Sequence, residues 1–379
     1  MDRKQVKVVV TGAGGLIGRH AAIRLHAQNC AARFRGAVEP FDLVTLDHAG
    51  FDDDAALAAA LAGADAVLHF AGVNRAPDDV LENANPAIAQ RLVDACGTAQ
   101  VTPHIVYANS IHAQTDTPYG RSKSGAAAIL AGVGIFTDLI LPHIFGEGAR
   151  PYYNNVTATL IDQILKGETP DVNPDGKVQL VHAGVAAQAA IDAVVNGTTG
   201  QIAPQGRVTP VPELFAMLSA FHDSYTHNIY ADLSDDFTVA LFNCYRTATY
   251  PDGWPRPLKL NTDARGTLFE AVKGGGGGQT FLSTTEPGVT RGDHFHLTKV
   301  ERFLVVQGEA VIRIRPVLGN AVWEYHVNGA APAPVDMPTL HTHSIENVGE
   351  GPLLTLFWTH DLFDPENPDT FADPVRGAL

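Results

Sequence analysis

Hydrophobic and polar positions change rhythm once along this 379-residue chain. In the first part, nearly unbroken apolar runs alternate with stretches of helical period. The runs are Val6–Val10, Phe41–Leu46, Ala64–Phe70, Ile105–Ala108 and Phe136–Leu141. Such runs suit strands buried on both faces, whereas a half-solvated strand alternates apolar and polar residues. Helical patterns fill the gaps at His20–Ala27, Asp52–Ala62, Asn85–Cys96 and Tyr119–Leu130. Strand, helix, strand in this order predicts an α/β domain with a parallel, doubly wound sheet, expected over residues 1–245. A helix opened by Tyr152-Tyr153-Asn154-Asn155, and another from Thr209-Pro210 to about Tyr245, complete it.

Residues 246–257 hold Pro251, Pro255 and Pro257 without periodicity and are expected to be a linker. Beyond them, over 258–379, the helical period disappears. A run of glycines, Gly274–Gly278, is followed by short strand patterns at Thr280–Thr284, Phe303–Val306, Ala310–Arg315, Val322–Val327 and Leu353–Trp358. Short strands without helices predict an all-β barrel or double-sheet jelly roll.

Composition narrows the function. Hydrophobic content of 45% and charged content of 18% fit a globular protein. A net charge of −15 excludes general nucleic-acid binding, which needs basic surface. Three scattered cysteines, Cys30, Cys96 and Cys244, form no C-x-x-C and no disulfide framework. The start carries no apolar leader, and no apolar run approaches a membrane span, so a cytoplasmic, membrane-free protein is expected.

The first strand runs directly into Thr11-Gly12-Ala13-Gly14-Gly15-Leu16-Ile17-Gly18 and then a helix. Glycines here let the backbone turn tightly and approach a pyrophosphate seated on the helix N-terminus. Gly12, Gly15, Leu16, Ile17 and Gly18 are therefore expected to bind a dinucleotide. Asp47, ending the second strand, is placed for a ribose 2′-hydroxyl, which leans toward NADH; neighbouring His48 leaves NADPH open. Ala71 and Gly72, after the third strand, let the chain pass close to the cofactor.

Tyr119 and Lys123 lie one helical turn apart, on one face. A phenol titrates near pH 10, and a neighbouring ammonium is expected to draw that value down. Ser110, nine residues earlier at a strand end, adds a hydroxyl for the substrate carbonyl. Beside a dinucleotide, Ser110, Tyr119 and Lys123 are the equipment for reducing a ketone. In the β-rich part, His294, His296, Glu301 and His343 form a donor set for a divalent metal, zinc foremost, with iron, manganese or nickel as alternatives. His294 and His296, two apart on a strand, are expected to share a face.

The glycine loop G-x-x-G-x-x-G and the Tyr-x3-Lys pair resemble extended short-chain dehydrogenases, and the two histidine segments resemble cupins. Their fusion, with Val73-Asn74-Arg75, Asn154-Asn155-Val156, Asp263-x-Arg265-Gly266, His296-Leu297-Thr298-Lys299 and Phe303-Leu304-Val305-Val306, resembles the CapF/WbjC family of capsule and O-antigen biosynthesis. The resemblance implies a Rossmann domain followed by a cupin, with NADPH or NADH and zinc as cofactors. It implies C3 epimerisation of a UDP-2-acetamido-2,6-dideoxy-hexos-4-ulose in the cupin, then reduction of its C4 ketone. Asn74, Arg75, His143, Tyr153 and Asn154 are expected on the substrate side, and Lys299 or His341 as the epimerisation base. A homo-oligomer paired through the cupin is implied too. A reductase whose cupin only binds substrate, or a non-catalytic nucleotide-sugar sensor, are the alternatives. The chain departs from the family at Ile140, His143, Val181-His182-Ala183-Gly184, Leu297, Leu340 and His341, and has Gly14 where a lysine would hold an NADP phosphate.

Overall fold

A computed structural model describes residues 5–376; residues 1–4 and 377–379, the outer ends of the two expected domains, lie outside it. By its contacts the chain divides into two compact units, 1–159 with 173–211, and 160–172 with 212–379. This division does not fall in 246–257.

In the first unit the elements run β1 (Val6–Thr11), α1 (Leu16–Phe34), β2 (Phe41–Leu46), α2 (His48–Asp52), α3 (Asp54–Leu61), β3 (Ala66–His69), α4 (Asp78–Ala99), β4 (His104–Ser110), α5 (Pro118–Leu130) and β5 (Phe136–Leu141). There follow β6 (His143–Phe145), α6 (Val156–Leu165, which crosses into the second unit), β7 (Lys177–His182), α7 (Ala183–Asn196) and β8 (Gly200–Ile202). Six strands form a parallel sheet in the order β2-β1-β3-β4-β5-β8. Strand alternation sends Val8, Val10, Leu68, Val106 and Leu139 to one face, against Ala21 and Leu25 of α1 and Ala187, Ala190 and Ile191 of α7. Val9, Val67, Ile105 and Tyr107 take the other, against Leu57, Leu61, Ala89, Leu92, Ala126 and Leu130. The doubly wound sheet is as expected.

The helix expected over Asp52–Ala62 is α3, begun at Asp54 because the Asp53 carboxylate caps it by accepting from Ala55 and Ala56 N–H, with short α2 preceding it. The departure at 181–184 also has a local use. His182 caps α7 through Nδ1, which accepts from Gly184 N–H at 3.2 Å, while its Nε2 lies 2.8 Å from buried Glu147. A Cβ on Gly184 would stand 2.1 Å from an Arg24 guanidinium nitrogen, so a side chain there would displace it.

In the second unit two antiparallel sheets carry the chain beyond residue 278. One orders Gln279–Thr285, Leu353–Thr359, Glu301–Gln307 and Val335–Met337; the other orders Trp323–Asn328, Glu309–Pro316, His341–Asn347, Thr290–Phe295 and Phe371–Ala372. The helices Val211–Thr226 and Asp236–Thr247, expected to close the first domain, belong here. The first of them, with the chain just after it, is held on the fully buried Asp336 carboxylate. This carboxylate accepts from Arg302 Nε at 2.6 Å and Nη2 at 3.0 Å, and from the hydroxyls of Tyr225 and Tyr230, each at 2.6 Å. Residues 246–257 are likewise packed rather than loose. Trp254 is buried, and the Tyr250 hydroxyl donates to the Asp336 carbonyl.

Burial alone would raise the Asp336 carboxyl, but the Arg302 guanidinium outweighs it and holds it below the usual range. Removing one partner of such a pair strands a charge away from water. Arg302→Met should therefore cost about 3–5 kcal/mol, the range for a broken buried ion pair. Trp254, Trp323 and Trp358, all three tryptophans of the chain, lie in this unit, so their fluorescence during urea unfolding reads the loss directly.

Candidate functional site

The glycine loop turns where β1 gives way to α1. Gly12 has φ 68°, and a Cβ there would stand 2.6 Å from Ala71 N. At Gly18 a Cβ would lie 2.2 Å from the Gly12 carbonyl oxygen. The loop thus touches both its own helix and the segment after β3, and only glycine fits at these two contacts. Thr11 Oγ1 pairs with His69 Nδ1 at 2.7 Å, tying β1 to the end of β3. Ala71 and Gly72 accordingly sit beside Gly12, as expected. Asn85 holds the next stretch by accepting from Val73 N–H and donating to the Val73 carbonyl, both at 2.9 Å. Asp47 has a local task that the sequence reading missed, accepting from Gly50 N–H at 2.8 Å as the cap of α2; His48 pairs with Asp52 instead.

β4 and α5 bring the ketone-reducing trio together. Thr117 accepts from Gly120 N–H at 3.0 Å, and Pro118 follows it with its φ preset for a first turn, so α5 begins one residue before Tyr119. Burial raises the Tyr119 phenol's pKa, and the neighbouring Ser110 hydroxyl partly opposes the rise. The ammonium expected to lower it is elsewhere. Lys123 Nζ donates to the Ala108 carbonyl at 2.5 Å and lies 4.2 Å from the Tyr107 ring centroid. Burial draws Lys123 down to about 7, with Asp138 opposing. Asp138, on β5, also accepts from Asn109 Nδ2 at 2.8 Å, and Asn109 Oδ1 in turn accepts from Ser110 N–H at 2.8 Å. Asp138 and Asn109 escaped the sequence reading because nothing in one sequence ties residue 138 to residue 109.

On the expected substrate side, Arg75 Nη1 donates to the Tyr152 carbonyl and Asn154 Nδ2 to the Asn74 carbonyl, each at 3.1 Å. These bonds join the two segments. Tyr153 is exposed, and His143 Nε2 is buried with no hydrogen-bond partner among the described residues.

In the second unit, donor atoms of His294, His296, Glu301 and His343 all lie within 4.8 Å of one another. They come from both sheets, and Thr290–Phe295 and His341–Asn347 are strands that the apolar pattern did not disclose. His294 and His296 do not share a regular strand. The strand ends at Phe295, with an irregular register between Gly292 and His294 and Asp293 at φ 55°. Glu301 Oε2 stands 3.0 Å from His296 Nε2 and 3.3 Å from His343 Nε2. Burial would raise the Glu301 carboxyl, but the surrounding imidazoles hold it well below the usual range. His294 is lowered to about 3 by burial first and then by the two other imidazoles, which favours the neutral, metal-binding form. His343 Nε2 is buried and has no hydrogen-bond partner among the described residues. Such crowding fits a cation among the four groups. Lys299 Nζ, an expected base, donates to the Pro368 carbonyl at 2.6 Å. His341 Nδ1 lies 2.8 Å from the Thr339 carbonyl and its ring stacks on Trp323. Leu340, one of the expected departures, sits at φ 60°, in the left-handed region a branched side chain disfavours.

The Lys123 value has a measurable consequence. Its ammonium titrates at 10.5 unperturbed but near 7 in the fold, so between those values the unfolded chain binds more protons. Stability should rise with pH across that window and stay flat in this term below it. In 13C-lysine-labelled protein, the Lys123 Cε resonance should move with a midpoint near pH 7 and remain still near 10.5.

Comparisons with known proteins cover both units. Residues 8–202 match the "NAD dependent epimerase/dehydratase family" and residues 261–371 the "Polysaccharide biosynthesis C-terminal domain". UDP-2-acetamido-2,6-beta-L-arabino-hexul-4-ose reductase of Pseudomonas aeruginosa is 30% identical over 98% of this chain and 99% of its own. Capsular polysaccharide assembling protein CapF from Staphylococcus aureus is 30% identical, with a TM-score of 0.58 over 97% of this chain and all of that one. A Bacillus cereus UDP-N-acetylglucosamine 4-epimerase, 18% identical with a TM-score of 0.51, covers 66% of this chain and 99% of its own, and shares the fold. No helix among the described residues is long and apolar enough to cross a membrane. The chain belongs to the NAD dependent epimerase/dehydratase family, in the two-domain form that CapF represents.

Proposed function

We propose that the chain reduces the C4 ketone of a UDP-2-acetamido-2,6-dideoxy-hexos-4-ulose with NADPH or NADH, in the synthesis of a surface-polysaccharide precursor. The observation that carries this is Tyr119 and Lys123 one turn apart on α5, with the Ser110 hydroxyl beside the phenol, in the unit that holds the glycine loop. When bound, the nicotinamide supplies a hydride to C4. Tyr119 gives its proton to the C4 oxygen. A phenol raised by burial suits that role, because an acid for reduction must arrive protonated. Ser110 orients the carbonyl, and Lys123 supplies positive charge close to the phenol's helix turn. Gly12, Gly15, Leu16, Ile17, Gly18, Asp47, Ala71 and Gly72 are the proposed cofactor contacts. Asn74, Arg75, His143, Tyr153 and Asn154 are those for the nucleotide sugar.

The second half of the proposal is a cupin whose His294, His296, Glu301 and His343 hold a divalent metal, with C3 epimerisation preceding reduction. A ketone at C4 acidifies the C3 proton, and a bound cation would stabilise the enolate oxygen. Loss of that ketone on reduction locks the new configuration, which fixes the order. The carboxylate and three imidazoles match zinc. Lys299 or His341 would move the C3 proton. One observation favours a second reading, a reductase whose cupin only binds substrate: both groups are engaged with backbone carbonyls, of Pro368 and Thr339. Pairing of two copies through the cupin belongs to the same proposal.

The test follows nicotinamide oxidation with the UDP-4-keto sugar in D2O and reads deuterium at C3 of the product. Tyr119→Phe should lower turnover about 10²–10⁴-fold, the usual worth of a general acid. His294→Ala should abolish C3 deuteration while hydride transfer persists. Reduction with no C3 deuterium in the wild type would leave the second reading standing. Unimpaired turnover in Tyr119→Phe would sink the reductase mechanism.

A further inference from the structure

His296 is held from behind by a segment some seventy residues later in the chain. Its Nδ1 lies 2.5 Å from the Asp369 carbonyl oxygen. A carbonyl only accepts, so Nδ1 carries the proton and Nε2 is the nitrogen turned toward Glu301, 3.0 Å away. The same residue grips the loop that follows. Asp369 Oδ1 accepts from Leu297 N–H at 2.9 Å. Its Oδ2 accepts from Thr298 N–H and Lys299 N–H, each at 2.9 Å, and from the Thr298 hydroxyl at 2.8 Å. Three successive backbone donors around one carboxylate form an anion nest. That loop, 297–299, is the chain between the ligands His296 and Glu301.

Asp369 is itself held in place. The short strand Phe371–Ala372 pairs with Phe295 and His294, Asp373 N–H donates to the Asp293 carbonyl at 2.8 Å, and Arg315 bonds the Asp373 carboxylate at 2.8 Å. Asp369 has φ 41°, a conformation that aspartate and asparagine tolerate better than other side-chain-bearing residues. One residue therefore sets the tautomer of one ligand and the spacing to the next.

We infer that Asp369 is the positioning residue of the metal centre, presenting His296 Nε2 to the cation and fixing the His296–Glu301 bite. This rests on the metal centre proposed above and adds to it a residue outside the donor set. Partners of this kind, orienting a ligand from behind, are worth about 10–100-fold in metal affinity.

The experiment uses the full chain and zinc titrated against a chromophoric chelator, with cobalt(II) as the spectroscopic substitute. Asp369→Asn is the variant of choice, since asparagine keeps the backbone conformation while losing the charge and an acceptor oxygen. Zinc affinity should fall about 10–100-fold, and the cobalt d–d bands should shift. A merely structural role would lower the unfolding midpoint of the metal-free protein and leave both readouts unchanged. That result would overturn the inference. Should Asp369→Asn not fold, the wild type decides: 15N–1H spectra of the zinc-loaded protein should show His296 protonated at Nδ1 and metal-bound at Nε2. Metal on Nδ1 would overturn it equally. A wild type that binds no divalent metal, or one whose zinc affinity is unchanged in His294→Ala, would remove the metal-centre reading itself, an outcome distinct from a centre indifferent to Asp369.

Discussion

Taking an ammonium out of water is the constraint on which the first unit's site is built. Lys123 can be buried at the end of the parallel sheet only because other groups partly replace its hydration. The Ala108 carbonyl accepts from it, the Tyr107 ring lies beneath it, and the Asp138 carboxylate opposes the desolvation. Tyr107 and Asp138 are neighbours in register on adjacent strands, so the sheet itself brings them together. Asp138 then reaches Ser110 through Asn109. Charge compensation beneath the lysine and placement of the serine hydroxyl thus share one buried carboxylate.

Charge crowding governs the second unit in the opposite sense. There the buried Glu301 carboxylate stands among the imidazoles of His294, His296 and His343. Burial and the neighbouring imidazoles hold His294 toward its neutral form. Elsewhere in the same unit, Asp336 meets a guanidinium and two phenols. Two buried carboxylates in one unit thus differ in what surrounds them, imidazoles in one case and a paired cation in the other.

The strand–helix alternation, the glycine loop and the Tyr119/Lys123 pair were legible in the sequence because each is local. A loop motif spans eight residues, and a helical turn spans four. The four clustered donors were legible by residue type, but the strands carrying two of them were not. Thr290–Phe295 and His341–Asn347 are too rich in histidine and small polar residues to announce a strand. Where side chains point was also hidden. Lys123 shared a helix face with Tyr119 as expected, yet its amine turned to Ala108; Asp47 sat at the strand end as expected, yet capped a helix. The apolar period ended the first domain too late, because helices of the same amphipathic pattern can serve either neighbour.

The placement of residues 160–172 with the second unit carries a consequence for how the two halves came to share a chain. The polypeptide leaves its first unit, contributes a short piece to the second, returns to add β7, α7 and β8, and departs for good after residue 211. Two modules joined end to end could be parted with a single cut. These cannot: severing at the proline-rich stretch would strip Tyr225 and Tyr230 from Asp336, and severing after 211 would still leave 160–172 on the wrong fragment. By its contacts the chain is interleaved, and no single cut follows the division.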